Sequence, residues 1–219
     1  MGQLPATRVT PHRPFLNIGD DYAGPITLKT FRGRGAKTYK GYFIVFVCFS
    51  SSAIHLEIAT DYSTDGSIAA HKRFTSRRCI CSTITSDQGT NFVGANAELR
   101  RLFRAATREW SEIANILAND GVEWKFNPPS TLHFGEKWEA GVKSVKGHLR
   151  RIIGDTVLTY EELSTFLTQV EAILNSRPLV ALSDDPADLS ALTPGHFLVG
   201  SALTTIPEPS MQDIPLNRF

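Results

Sequence analysis

Net charge is what this sequence has least of. Its 23 Lys and Arg are matched by 22 Asp and Glu, leaving +1 at pH 7. Binding of nucleic acid through overall positive charge is thereby excluded, and any basic surface must arise from local clustering. Cysteine is scarce as well: Cys48, Cys79 and Cys81 are an odd number with no Cys-x-x-Cys pair or neighbouring His pair. That argues against a disulfide framework and a zinc site, and leaves buried, reduced thiols of an intracellular protein as the expectation. Long apolar runs are missing. The longest, Tyr42 to Phe49, falls far short of the ~20 residues that span a bilayer, so no membrane partner is expected. Met1-Gly2-Gln3-Leu4-Pro5 lacks the apolar core of a signal peptide, and Ala6 stands where a myristoylation signal has Ser or Thr. No internal repeat is present.

The 219 residues, 42% hydrophobic and 21% charged, fit one sizeable globular domain or a domain with an appendage. Residues 1–13 are Pro-rich and read as an extended lead-in. A strand is predicted over 15–28. Gly33 and Gly35 among Lys29, Arg32, Arg34, Lys37 and Lys40 mark a basic hairpin loop. Further strands are predicted at 42–49 and 55–58, making an antiparallel meander. A helix follows from Thr64 to Arg77, then a strand leading to Asp87. Helices are expected from Glu98 to Arg108 and from Glu109 to Ala118, and a strand over 122–126 that Pro128-Pro129 stops. Three strands followed by alternating helices and strands indicate a mixed sheet with helices on its faces, an α/β fold. Thr159 and Glu162 fit a capping box opening a helix that ends before Pro178. After Asp184 the chain turns rich in Pro, Ser and Thr, and it ends without a terminating pattern, as part of something longer would.

The segment from Lys137 to Ile153 carries two stripes. Trp138, Val142, Val145, Leu149 and Ile152 form an apolar one. Glu139, Lys143, Lys146 and Arg150 repeat the spacing one residue later, about 100° round the helix. The second stripe is either an ordinary solvated face, with Glu139 and Lys143 as an i,i+4 pair, or a carboxylate followed by three cations beside a ligand. Asp87 in Ser86-Asp87-Gln88-Gly89-Thr90-Asn91-Phe92 is likewise a turn former or a metal ligand at a strand's end. Asp21 on the first strand, Asp87 and Glu139 are three hard oxygen donors of the kind that suits Mg²⁺. Two such ions ~3.5–4 Å apart can hold both the attacking and leaving oxygens of an in-line phosphoryl displacement. Asp20 and Asp21 point to opposite faces of a strand. Asp20 is expected on the packed side, where a carboxylate must be neutral or paired.

Several motifs occur in one order. Gly19-Asp20-Asp21-Tyr22-Ala23-Gly24-Pro25 comes first, then Ser86 to Phe92, then Trp124-Lys125-Phe126-Asn127-Pro128-Pro129 running through His133-Phe134-Gly135 to Trp138-Glu139. Glu171-Ala172-Ile173-Leu174-Asn175-Ser176-Arg177-Pro178-Leu179 and Leu192-Thr193-Pro194-Gly195-His196-Phe197 follow. Together they span most of residues 15–200, and in them the chain resembles the integrase catalytic core of LTR retrotransposons, most closely the BEL/Pao class. The resemblance implies an RNase H-like mixed five-stranded sheet flanked by helices. It implies a core over 14–155, a C-terminal helical extension over 156–182 and an irregular tail over 183–219. It implies a D-D-E triad of Asp21, Asp87 and Glu139 holding two Mg²⁺ or Mn²⁺, with Lys143, Lys146 and Arg150 beside it on DNA phosphates. The activity implied is DNA 3′-processing and strand transfer, on element ends and target DNA, by a homo-oligomer with no small-molecule substrate. It would act in the nucleus, although no targeting signal is present. The alternative is a decayed, inactive copy that at most binds DNA or self-associates. A general RNase H-like nuclease is a third reading, disfavoured by the Asn-Pro-Pro to Trp-Glu element. The six histidines and three cysteines cannot supply the zinc module that precedes this core in relatives.

Glu123 competes with Glu139 for the third place, since 35 residues separate it from Asp87. In the family, however, the glutamate follows the Asn-Pro element and lies on the next helix, as Glu139 does and Glu123 does not. Asp20, Leu132 and Glu136 depart from the family pattern. Lys72, Arg73, Arg77 and Arg78 are expected to form a solvated basic face.

Overall fold

The computed structural model describes residues 6–86, 93–95, 97, 121–126, 136–185, 187 and 190–203. The helices expected over 98–118 lie outside them. Among the described residues, β1 (Asn17–Lys29), β2 (Thr38–Cys48) and β3 (Ile54–Ala59) form an antiparallel meander. On the other side of β1, β4 (Thr83–Ser86) and β5 (Glu123–Phe126) run parallel to it, giving the order β3-β2-β1-β4-β5. A two-residue strand, β6 (Leu158–Thr159), pairs with the far end of β1 and makes the sheet six-stranded. A second sheet joins β7 (Val180–Ala181) to β8 (Ala191–Leu192). The main sheet is that of an RNase H-like α/β fold.

Helices cover both faces, so β2 is apolar on both sides from Tyr42 to Cys48, whereas β3 alternates Ile54, Leu56 and Ile58 with the buried His55 and Glu57. Phe43, Val45 and Val47 of β2 pack with α3 (Glu136–Ile153) and α4 (Tyr160–Asn175). Ile44 and Phe46 turn the other way, toward Phe74 of α2 (Thr64–Arg78) and Trp124 of β5. The short helices α1 (Ala6–Val9) and α5 (Pro194–Val199) lie outside the sheet. Local signals set the helix ends. The Ser63 hydroxyl accepts from the amide of Gly66 at 3.0 Å and caps α2. Thr159 and Glu162 form the reciprocal capping box expected at the start of α4, at 2.7 and 3.3 Å.

One close approach fixes where α3 begins. Trp138 lies over Gly19 so tightly that a Cβ there would stand 2.1 Å from its ring. The same indole stacks on Phe49 at 6.2 Å. Gly19 therefore lets the first turn of α3 dock directly on β1, two residues before Asp21, and Glu139 follows Trp138.

Candidate active site

Asp21 alternates with Gly19 and Ala23 on the face of β1 that α3 covers, and Glu139 leaves α3 in its first turn. The positive end of the helix dipole favours negative charge there. Both carboxylates line one open groove of about 710 Å³, together with Lys143, Lys146 and Arg150. Five of the six residues singled out from the sequence are thus brought together by the fold. The groove extends from Asp21 of β1 across α3 to Leu174 of α4, and a neighbouring one of about 480 Å³ shares Lys146 and Arg150 with it. Asp87 lies outside the described residues. The described part of β4 ends at Ser86, just before it, and pairs with β1 through Gly19↔Thr85.

Glu123 stands at the opposite end of the sheet. It pairs with Thr83, and Thr83 pairs with Asn17, four residues before Asp21. At ~3.3 Å per residue that is about 13 Å along the strand, with two inter-strand spacings to cross as well. Its carboxylate meets Lys125 at 3.2 Å, with both side chains more than half exposed. Glu136 begins α3, but its side chain, like Leu132, lies outside the described residues.

Sequence periodicity missed two other residues of the groove, His148 and Arg151. Both fall off the Glu139 stripe, and only a three-dimensional lining shows them. His148 titrates below the ordinary histidine range because burial and then Arg151 disfavour its cation. As for metal, no group of three His, Cys, Asp or Glu could hold an ion among the described residues. The donor set nonetheless suits Mg²⁺ or Mn²⁺, for which one or two carboxylates, waters and substrate phosphates are the usual ligands.

On the opposite face of β1, Asp20 is 1% exposed, as expected for the packed side. It is not left poorly satisfied: the Ser86 hydroxyl donates to its Oδ1, and the Trp124 indole N–H donates to Ser86 Oγ at 2.8 Å. The relay ties β1, β4 and β5 together directly behind the groove. Its negative charge also acts on Cys81, whose thiol burial and then Asp20 push up to about 12. Cys48 and Cys81 are buried and free, whereas Cys79 is exposed.

Of the four basic residues of α2 expected on a solvated face, Lys72 and Arg77 are exposed, but the three arginines are ion-paired. Arg73 Nε donates to Glu57 Oε2 at 2.6 Å and Arg77 Nη1 to Glu57 Oε1 at 3.0 Å, while Arg78 pairs with Glu171 of α4. His55 sits between the two carboxylates, 3.0 Å from Glu57 and 3.2 Å from Glu171. Spacing on one helix cannot reveal acidic partners that the fold brings from β3 and α4. Burial opposes a charge on His55, but hydrogen bonds to Glu171 and Glu57 outweigh it and raise its titration.

No family model matches the sequence, and no curated protein matches it. Among solved structures, the chain is similar to a chain of the simian T-cell lymphotropic virus intasome in complex with PP2A regulatory subunit B56 gamma. Identity is 14% and the TM-score 0.49, covering 96% of this chain and 64% of that one.

Proposed function

We propose that this chain is the catalytic core of an integrase-type DNA strand transferase, of the retrotransposon class its motifs resemble. The observation that carries the proposal is the meeting of Asp21 and Glu139 in a groove lined by Lys143, Lys146 and Arg150. Asp87 is proposed as the third ligand, since it directly follows β4, the neighbour of β1. Mg²⁺ or Mn²⁺ held by these carboxylates would supply the Lewis acidity that phosphodiester chemistry needs. The cations hold phosphates and set the backbone in register without reading bases. The reaction class is hydrolysis that frees a DNA 3′-hydroxyl, followed by attack of that hydroxyl on a target phosphodiester. In each step one P–O bond forms and one breaks.

A metal titration followed by thermal melting tests this reading, alongside a cleavage assay on an oligonucleotide duplex. An ion at 100 times its Kd stabilises a folded protein by about 2.7 kcal/mol. Asp21→Asn, Asp87→Asn and Glu139→Gln are expected to lose both that gain and cleavage, while Glu123→Gln keeps both. A gain that survives Glu139→Gln and disappears in Glu123→Gln would overturn the assignment. Duplex binding with no cleavage by the unaltered chain would identify the decayed copy instead.

A further inference from the structure

A second pocket, of about 370 Å³, adjoins the groove, and Ser144 and Leu174 line both. Arg8, Lys137 and Arg177 line it with Ser52 and the small face of α3 formed by Ala140 and Gly141. Among its described lining residues none is acidic. Lys137 Nζ donates to Phe49 O at 2.6 Å and to Ser52 Oγ at 3.2 Å. Arg177 donates to Ser52 O at 2.6 Å and to Leu174 O at 3.3 Å. These partners are neutral oxygens, which orient a cation without balancing its charge. The lysine also stands in the first turn of α3, where the helix dipole is unfavourable to a cation. Lys137 and Arg177, half-buried and hydrogen-bonded to neutral oxygens, keep charges that an anion in the pocket would offset.

We infer that this pocket binds a phosphate of the DNA backbone, one that follows the stretch held over Lys143, Lys146 and Arg150. The two sites meet at Ser144 and Leu174, so a backbone crossing α3 from the Asp21 side passes from one directly into the other. Arginine and lysine donors fixed by backbone carbonyls are pre-oriented for a phosphate, because less side-chain freedom is lost on contact. The inference rests on the proposed DNA-binding groove and extends its footprint to the far side of α3. A purely structural role, with both cations clamping the turn between β2 and β3, is the competing account.

Lysine acylation mapped by mass spectrometry on the unaltered 219-residue chain separates the two accounts without a variant that fails to fold. With a duplex of unrelated sequence, Lys137 is expected to be protected along with Lys143 and Lys146, while Lys125 at the far edge of the sheet keeps reacting. Protection of Lys143 and Lys146 with unchanged Lys137 would overturn this inference and leave the proposed groove intact. Equal reactivity of all four would sink both. Inorganic phosphate forms the other arm. Protection of Lys137 by phosphate but not by duplex would assign the pocket to a small anion and reject the inference. In Lys137→Gln/Arg177→Gln, the slope of log K against log salt should flatten by about 0.9, the value for one lost phosphate contact.

Discussion

His71 shows how much a single residue's setting decides. It is buried against Phe46, Phe74 and Trp124, the last stacked at 5.8 Å, and its Nε2 has no hydrogen-bond partner. Burial lowers its pKa from 6.5 to about 4. In the unfolded chain the same imidazole takes a proton near 6.5, so between these values the unfolded state binds more protons. Stability must fall as the pH drops through that window, by about 3 kcal/mol at its lower end. His71→Phe keeps the ring and removes the titration. Urea melts at several pH values should show the acid-side loss shrinking in that variant. An unchanged pH profile would mean that His71 is already charged in the folded protein. His55 works in the other sense. Its pKa is raised, so the stability it contributes is fully present below 6.5 and is lost as the pH climbs through its folded value. Removing His71 should therefore leave an alkaline-side decline in place.

At the scale of elements, the segment Glu171 to Arg177 carries part of the motif resemblance, and the structure gives it a physical task. β3 is an edge strand, whose outward amides and carbonyls would otherwise invite pairing with another chain. Asn175 covers that edge: its Oδ1 accepts from Ile54 N and its Nδ2 donates to Ile54 O, both at 2.8 Å. One turn earlier, Glu171 Oε2 accepts from Leu56 N at 2.8 Å. The i,i+4 spacing on α4 thus matches the i,i+2 spacing of same-side amides on β3. Asn175→Leu leaves the Ile54 groups unsatisfied and should cost about 1–3 kcal/mol for the buried amide. Hydrogen exchange should show the Ile54 amide losing protection, with a smaller change at Leu56. Equal protection in both forms would show that the edge is held by packing alone. This pairing was not legible in the sequence, because it joins residues 121 apart with no local pattern. The helices α2, α3 and α4 were legible to within a residue or two, since 3.6-residue periodicity and capping are local. β6 was not, because two residues carry no periodicity. The site followed the same division. The stripe from Glu139 to Arg150 was readable on its helix, but Arg151, His148 and the pocket of Lys137 and Arg177 exist only once α4 packs beside α3.

At the scale of the whole molecule, near-neutrality conceals a strong local asymmetry. The chain as a whole carries +1, yet the groove sets Lys143, Lys146, Arg150 and Arg151 against two carboxylates, Asp21 and Glu139. Away from the groove, the arginines of α2 are paired with Glu57 and Glu171. Replacing Lys143, Lys146 and Arg150 together by Ala changes three exposed residues and leaves the buried stripe of α3 untouched. The fold should survive, as a thermal melt can verify. Duplex binding should weaken by similar factors for unrelated sequences, because phosphate contacts carry no base information. Each lost contact should flatten the slope of log K against log salt by about 0.9, so the triple variant should lose about 2.7. A slope equal to that of the unaltered chain would make this stripe an ordinary solvated face. Weakening confined to one DNA sequence would point to contacts with base edges and reject the role in positioning the backbone.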